Sequence, residues 1–431
     1  MRILKWLLGI VAVAALAFFA LAPGIIERGM NKVERASPWP VSAQAAALHK
    51  SLVIADLHSD TLLWKRDVDA LAKRGHVDLP RLEAGNVALQ VFSSVTKTPK
   101  GQNYEANSAD TDNITLLAVA QLQPVKTWNS LLERSLWHAE KLRRAEAGSD
   151  GRLRIVRSGA DIDRVLADRA AGKQVTGALL SIEGLQDLEG KLANVGTLHD
   201  AGFRMAGLAH FFDNDVAGSM HGLKKYGLTP LGRQVVPEME RRGMIVDLAH
   251  ASPAAFAETL AIATRPVVVS HGGVKATCNT TRNLTDDQLR ALAANGGVIG
   301  IGYWDAAVCK ATPAATAAAI KHVRDLVGVQ YVGLGSDFDG GTTTGIDTAE
   351  LGAVTQALLD AGFSDAEIAA VMGGNVIRRD LGNPRHVVQQ RQQSAHLVIP
   401  YRFPALVAAK RRSGQGFAAR ALAPDGGIIH Q

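Results

Sequence analysis

The sequence predicts an α/β protein built on a (β/α)8 TIM-type barrel, with a helical insertion after strand 2, an N-terminal transmembrane helix and an irregular C-terminal tail. Two observations support the barrel. Short, continuous apolar runs recur along the chain, which is the pattern of strands buried on both faces. Helical patterns lie between these runs, and such alternation is typical of parallel strands with right-handed crossovers. Eight such runs predict a closed barrel, and a doubly wound open sheet is the alternative.

The predicted strands are Leu52–Asp56, Val87–Ser93, Gly177–Ile182, Arg204–Ala209, Met244–Leu248, Pro266–Ser270, Gly297–Gly302 and Tyr331–Ser336. Helical patterns between the later strands are Thr229–Arg242, Ser252–Thr264, Thr285–Ala294 and Thr312–Val327. Ser252 before a proline and Thr285 before two aspartates are typical helix starts. One connection, from Ser94 to Thr176, is far longer than the others and contains a helical stretch near Asn113–Ala147. We predict that this insertion packs near the active face.

The N-terminus carries an apolar segment long enough to cross a bilayer. Trp6–Ile26 is a run of 21 residues without a charge. It is either a cleaved signal peptide ending near Ala22 or an uncleaved anchor over residues 1–28. We favour the anchor, because Pro23 would follow the cut and the run exceeds a usual signal-peptide core. Basic residues flank both ends, so the sequence sets no orientation.

The net charge of +6 belongs to the end of the chain. From Arg385 onward there are seven basic residues and one acid, so the first 384 residues are formally neutral. The body therefore has no basic face for nucleic acid. The segment 385–431 has no periodicity, and we predict an irregular tail after a catalytic domain at 45–384. Its arginines and apolar side chains suit an anionic lipid surface, and a solvated tail is the alternative.

The chain has two cysteines, Cys278 and Cys309. In a chain with an export segment an even pair permits one disulfide, and two separate buried thiols are the alternative. Neither cysteine belongs to a CxxC pair, so we expect no thiolate zinc site.

Metal-binding side chains follow several predicted strands. His58 and Asp60 form an H-x-D pair after the first strand, Glu183 follows the third, and His250 and His271 follow the fifth and sixth. A barrel brings the C-terminal ends of its strands to one rim, so these side chains can converge. Imidazole and carboxylate suit zinc, and a carboxylate can bridge two ions. The alternatives are buried core histidines and a salt-bridged or capping glutamate.

Three further residues at the same rim have the types that amide hydrolysis requires. Asp337 follows the last strand and can take a proton from water and deliver it to a leaving amine. His210, after the fourth strand, can donate to a developing oxyanion. Arg282 can hold a substrate carboxylate through two hydrogen bonds. The alternatives are a helix cap or a structural acid for Asp337 and a surface arginine for Arg282.

Nine stretches, in this order, carry a resemblance to a known family: ADLHSDTL, HVDLPRLEAGNVALQVFS, LLSIEG, GLAHFFDND, GLTPLGRQVVPEMERRGMIVDLAH, VVVSHGG, RNLTDDQL, VGLGSDFDG and MGGNVIR. From about Ser51 to Arg378 the chain resembles the membrane dipeptidase (renal dipeptidase) family of zinc metallopeptidases. It departs from the family pattern at Leu57 and Ser59, where Gly and Asn are frequent, and in the HGG after the sixth strand.

The resemblance implies an amidohydrolase-type barrel with two zinc ions. It assigns His58 and Asp60 to one ion, His250 and His271 to the other, and Glu183 to both.

The resemblance also implies roles outside the metal ligands. His210 would lie on the oxyanion side and bind substrate, Arg282 would bind the substrate carboxylate, and Asp337 would contact the substrate and transfer the proton. Cys278 and Cys309 would form a disulfide, which favours an oxidising compartment.

The predicted function is a metal-dependent dipeptidase in which a hydroxide bridging two zinc ions attacks the peptide bond, including that of dipeptides with a C-terminal D-residue. Other divalent metals also suit this ligand set. The alternatives are another amide or β-lactam hydrolase of the same architecture, and a catalytically silent membrane-tethered binding protein. The latter would lack a ligand or Asp337, and the sequence has them all.

The expected partners are a dipeptide substrate, a lipid bilayer through the N-terminal helix, and a second copy in a homodimer. We expect the catalytic domain on the periplasmic or extracellular face, or a soluble exported protein if the N-terminal segment is cleaved.

Overall fold

The computed structural model describes residues 2–378. The predicted tail, 385–431, lies outside the described residues, so its irregular structure and lipid contact stay predictions.

Eight parallel strands close into a barrel. In chain order they are β1 (Ile54–Ser59), β2 (Val87–Val95), β3 (Thr176–Glu183), β4 (Phe203–Gly207), β5 (Ile245–Asp247), β6 (Val268–Gly272), β7 (Val298–Ile301) and β8 (Val332–Leu334). Each pairs with the next, and β8 pairs with β1 at Leu334 and Asp56. All eight predicted strands are present, and the closure of the ring rules out the open sheet.

The strands are buried on both faces, as their continuous apolar runs predict. Every residue of β1, β2, β3, β7 and β8 is buried. The helices outside the barrel cover the outer faces, and the core includes large side chains such as Phe92 and Phe203.

The helices of the described residues are α1 (Arg2–Met30), α2 (Ala43–Ser51), α3 (Leu79–Ala84), α4 (Asn113–Ala120), α5 (Lys126–Asn129), α6 (Leu131–Gly148), α7 (Gly159–Ala170), α8 (Asn194–Ala201), α9 (Gly232–Arg241), α10 (Pro253–Ile262), α11 (Asp286–Asn295), α12 (Asp305–Val308), α13 (Pro313–Val327), α14 (Gly352–Asp360), α15 (Asp365–Ala369) and α16 (Asn375–Arg378). The predicted helix starts are present. The Ser252 side chain accepts from the backbone N–H of Ala255, and Thr285 forms a capping box with Gln288.

The insertion between β2 and β3 is helical. It contains α4, α5 and α6, and then a short strand, Leu153–Ile155, that pairs with the start of β3. The sequence does not predict this strand, because it has only three residues and no distinct pattern.

Helix α1 is long and apolar enough to cross a bilayer. Ile3–Met30 contains a window with a mean hydropathy of 2.4, of which only 6% is buried. After α1, Lys32–Val33 pairs in parallel with Thr343–Thr344, in the segment after β8. The chain beyond the helix is therefore joined to the C-terminal rim of the barrel.

Cys278 and Cys309 form a disulfide. It joins the segment after β6 to the segment after β7, beside the C-terminal rim. The alternative of two separate thiols is wrong.

Candidate functional site

The five predicted metal ligands converge at the C-terminal rim of the barrel. Glu183, the last residue of β3, is at their centre. Its Oε1 lies 3.0 Å from Nε2 of His250, 3.3 Å from Nε2 of His271 and 3.6 Å from Nε2 of His58. Nε2 of His58 lies 3.3 Å from Oδ1 of Asp60. One carboxylate thus contacts both predicted pairs of ligands.

His210 and Asp337 lie within the same cluster. Nε2 of His210 is 3.3 Å from Oε2 of Glu183, and Oδ1 of Asp337 is 3.9 Å from Nε2 of His58. Three sets of buried ligand atoms lie within 4.8 Å of one another: His58, Glu183 and His271; Glu183, His210 and His250; and His58, Asp60 and Asp337. Distance alone therefore does not separate the predicted ligands from the two predicted catalytic residues.

Two of these residues have left-handed backbone conformations. His250 has φ 62° and Asp337 has φ 58°. Such conformations cost about 1–3 kcal/mol in residues other than glycine, and they cluster at active sites. A Cβ on Gly340 would collide with the Asp337 carboxylate. The turn after β8 therefore brings its backbone close to this carboxylate.

Two buried aspartates hold the rim together below the ligands. Oδ1 of Asp56 accepts hydrogen bonds from the backbone N–H of His58 at 3.0 Å and from the hydroxyl of Ser336 at 2.9 Å, which connects β1 with β8. Oδ1 of Asp247 accepts from the backbone N–H groups of Ala249 and Ser270, both at 2.9 Å, which connects β5 with β6. Asp247 thus orients the backbone beside the histidines and not an imidazole ring.

The histidines of the cluster differ in charge. Burial holds the pKa of His210, His250 and His271 well below the ordinary value, so these rings are neutral, the form that binds metal. Burial also lowers the pKa of His58, but the carboxylates of Asp60 and Glu183 outweigh it and raise that pKa to about 10.

The carboxylates are in an unfavourable environment. Burial, with Asp60 close by, raises the pKa of Glu183 well above its usual range. Burial raises the pKa of Asp337 to about 8, although the charge of His58 acts in the opposite direction. Several buried acids at one place need a positive charge to ionise, and a divalent cation supplies it.

Buried polar atoms without hydrogen bonds also indicate a metal at this site. Both ring nitrogens of His58 and Oδ1 of Asp60 are buried and make no hydrogen bond. Unpaired buried polar atoms are rare unless a ligand, ion or water satisfies them. Neutral imidazole nitrogens and carboxylate oxygens are ligands of zinc and related ions, and a bound cation would displace the proton that the nearby carboxylates favour on His58.

Arg282 is fully buried next to this cluster, so the surface-arginine alternative is wrong. One amino group donates to the carbonyl oxygen of His271 at 2.7 Å, and the guanidinium lies 5.6 Å from the ring of Trp304. Its Nε and Nη1 make no hydrogen bond. A free N–H of a guanidinium can make a charge-assisted hydrogen bond to a carboxylate oxygen.

The cluster lines a cavity of about 730 Å³. The polar residues of the lining include Asp60, Glu183, His210, His250, Arg282 and Asp337. The apolar part of the lining comes mainly from α1, from α4 of the insertion and from residues near the ends of β1 and β2. The insertion therefore lies at the active face, as the sequence predicts.

Two features of the cavity have no counterpart in the sequence prediction. Tyr104, in the loop before α4, accepts a hydrogen bond from Nε1 of Trp304 at 3.0 Å, and its backbone oxygen is 2.8 Å from Nδ1 of His221. Its only signal in the sequence is an aromatic residue in a Gly- and Asn-containing loop. Phe18 and Phe19 of α1 also line the cavity. The sequence does not distinguish these two residues, because the whole segment is apolar.

Comparisons with known proteins agree on one family. The model of the membrane dipeptidase family (peptidase family M19) matches residues 42–386. Dipeptidase aclJ of Aspergillus oryzae is 30% identical over 391 aligned residues, which cover 82% of this chain and 85% of that protein. Dipeptidase tcpJ of Claviceps purpurea is 32% identical over 320 residues, which cover 70% of this chain and 68% of that protein.

A solved structure shows the same fold. The metallopeptidase of Rhodobacter sphaeroides liganded with a phosphinate mimic of the dipeptide L-Ala-D-Ala has a TM-score of 0.63 and 23% identity, covering 76% of this chain and 99% of that chain. Because the family match extends over the whole barrel and the named relatives are dipeptidases, the chain belongs to the membrane dipeptidase family of metallopeptidases and is a metal-dependent dipeptide hydrolase.

Proposed function

We propose that this protein hydrolyses dipeptides with two zinc ions. His58 and Asp60 would hold one ion, His250 and His271 would hold the other, and Glu183 would bind both. The single observation that carries this proposal is the position of Glu183, whose Oε1 lies within 3.0–3.6 Å of three imidazoles. When bound, such a pair of ions lowers the pKa of water and polarises the peptide carbonyl.

Arg282 selects dipeptides, because it would bind the free carboxylate of the second residue. Its Nε and Nη1 donors have no hydrogen-bond acceptor among the described residues, so a substrate carboxylate can accept from one of them. A longer peptide has a neutral amide at that point, which forms a weaker hydrogen bond with a guanidinium than a carboxylate does.

Asp337 moves the proton. It lies beside His58 at the wall of the cavity, where it takes a proton from the attacking water and delivers it to the departing nitrogen. Its left-handed backbone holds the carboxylate in this position. Without a cation burial raises the pKa of Asp337 to about 8, so a cation is needed to keep it ionised at neutral pH.

His210 stabilises the carbonyl oxygen as negative charge develops on it. The ring lines the cavity next to Glu183. Because burial lowers the pKa of His210, the imidazole is neutral and can donate one N–H without bringing a second positive charge.

We extend the substrate range to dipeptides with a C-terminal D-residue. The Rhodobacter sphaeroides relative is liganded with a mimic of L-Ala-D-Ala, which supports this range for a site of the same fold. Recognition of the carboxylate by Arg282 does not depend on the configuration of the last residue.

We place the catalytic domain, residues 45–384, outside the cytoplasm, with residues 1–28 as its membrane anchor. The disulfide between Cys278 and Cys309 supports an oxidising compartment. The apolar helix α1 supports attachment to a bilayer.

The test is metal analysis of the purified full chain, coupled to an assay with L-Ala-L-Ala and L-Ala-D-Ala. We expect two zinc ions per chain, hydrolysis of both substrates, loss of activity on chelation and its return with zinc. The same preparation is assayed with N-acetyl-L-alanine and a β-lactam. Turnover of these compounds without turnover of either dipeptide would contradict the proposal and favour another amide hydrolase.

A further inference from the structure

Helix α1 is fixed to the rim of the barrel by a buried ion-pair network. Glu27, near the end of α1, is fully buried, and its two oxygens lie 2.5 Å from Nε of Arg66 and 2.5 Å from Nε of Arg74. Arg66 also pairs with Asp339, two residues after Asp337. Removing one partner from such a network leaves a buried charge unpaired. The network therefore fixes the position of the helix relative to the active site.

The segment after α1 is held to the same part of the rim. The side-chain oxygen of Asn31 accepts from the backbone N–H of Gly341 at 2.8 Å, and the backbone N–H of Lys32 donates to the carbonyl oxygen of Thr342 at 3.2 Å. These contacts continue into the short parallel pairing of Lys32–Val33. Helix α1 is thus joined to the segment that carries Asp337.

The last turns of α1 form part of the cavity wall. Phe18, Phe19, Ile26 and Met30 line the cavity together with Leu116 of α4, and α4 packs against α1. The most exposed large apolar side chains of the lining are Leu116 at 72%, Phe18 at 52% and Met30 at 47%. The cavity therefore reaches the surface beside these two helices.

Helix α1 is long and apolar enough to cross a bilayer. A span over residues 3–21 would rise about 28 Å, close to the ~30 Å thickness of the hydrocarbon core, and would have Phe18 and Phe19 in its last turn. An apolar substrate group placed against these two side chains leaves water.

We propose that the end of α1 is a specificity element of the active site, which selects dipeptides with a bulky apolar side chain. This inference rests on the proposed dipeptidase function and on α1 remaining attached. Arg282 holds the carboxylate at the polar part of the cavity lining, while the apolar side chain lies against Phe18, Phe19 and Leu116.

The test uses the full chain in phosphatidylcholine nanodiscs and the ratio of kcat/KM for L-Phe-L-Phe to that for L-Ala-L-Ala. We expect a ratio well above one in the wild-type protein. In the double variant Phe18→Ala and Phe19→Ala we expect the ratio to fall about tenfold, because apolar contact is lost. Leu116→Ala approaches the same cavity from α4 and lowers the ratio by about threefold.

The matched control is Leu7→Ala with Leu8→Ala, because both residues are exposed on α1 and neither lines the cavity. This variant keeps the wild-type ratio. A ratio that is the same in the wild-type protein, the double variant and Leu116→Ala would overturn the inference while leaving the dipeptidase function intact. Failure of the wild-type protein to hydrolyse either dipeptide would overturn both.

Discussion

Oε1 of Glu183 lies 3.0 Å from Nε2 of His250, and the same oxygen lies 3.6 Å from Nε2 of His58. A single carboxylate therefore connects the two predicted ligand pairs. We expect Glu183→Gln to lose both metals, because an amide carries no charge to offset two cations. Asp60→Asn removes a ligand from one pair only, and we expect it to lose about one metal per chain. Metal analysis by mass spectrometry measures both, and full metal content in Glu183→Gln would contradict the bridging role.

The proposed proton transfer by Asp337 can be tested separately from metal binding. We expect Asp337→Asn to lower kcat about 10²–10⁴-fold, the usual loss when a general base or acid is removed. Metal content should stay at the wild-type value. The control is Glu105→Gln, the same acid-to-amide change at an exposed residue. Turnover at the wild-type rate in metal-loaded Asp337→Asn would assign the proton to another group.

Arg282 is predicted to recognise the free carboxylate of the substrate. We expect the wild-type enzyme to prefer a dipeptide over its C-terminal amide by about 10–100-fold, the value of a hydrogen-bonded charge pair of about 1.5–3 kcal/mol. Arg282→Met should lose this preference through a rise in KM for the dipeptide.

The control for Arg282 is Arg233→Met, at an exposed arginine that pairs with Glu258. This control keeps the preference for the free carboxylate. An unchanged preference in Arg282→Met would show that another group recognises the carboxylate.

The barrel could be predicted because its strands are buried on both faces and so appear as continuous apolar runs. Strand ends were less well defined. β1 extends to Ser59, beyond the predicted end at Asp56, because Ser59 still pairs with Phe92 of β2. The polar residues at that end do not look like strand in the sequence, because they interrupt the apolar run.

The convergence of the candidate residues could be predicted from the sequence, but their geometry could not. The ligand types follow strands, and the barrel alone implies that they converge. The left-handed backbone at His250 and Asp337 is set by tertiary contacts and has no local signal such as a glycine at those positions. The contributions of Tyr104 and of α1 depend on contacts between segments far apart in the chain.

Tyr104 connects the insertion to the barrel at the cavity. We expect Tyr104→Phe to lower kcat/KM about three- to tenfold, because Nε1 of Trp304 loses its acceptor at a cost of about 1 kcal/mol. The comparison is Tyr226→Phe, which also removes a hydroxyl hydrogen bond, to the backbone oxygen of Asn214, but does not line the cavity. Equal kcat/KM values in the two variants would show that the Tyr104 hydroxyl has no part in organising the site.

Asp187 is a buried acid with one hydrogen bond. Its Oδ2 accepts from the hydroxyl of Ser135, at 2.6 Å, where α6 of the insertion packs on the barrel, and its Oδ1 makes none. Burial raises the pKa of Asp187 from 3.8 to about 7. The unfolded chain therefore loses this proton near pH 4, while the folded protein keeps it until about pH 7. Between these values the folded state binds more protons, so this group makes stability fall as pH rises.

Asp187→Asn removes this pH dependence, because the amide is neutral and still offers an oxygen to Ser135. Relative to the wild-type protein, we expect no gain in the free energy of unfolding at pH 4. The gain grows from pH 4 to pH 7 and reaches about 2–4 kcal/mol above pH 7. This corresponds to a rise of a few degrees in the thermal midpoint. Thermal unfolding of the wild-type protein and of Asp187→Asn at pH 5, 6, 7 and 8 measures this difference in midpoint. The control is Asp200→Asn, at an exposed aspartate. A difference in midpoint that stays constant across this range would mean that Asp187 is ionised throughout, so that burial does not hold its proton.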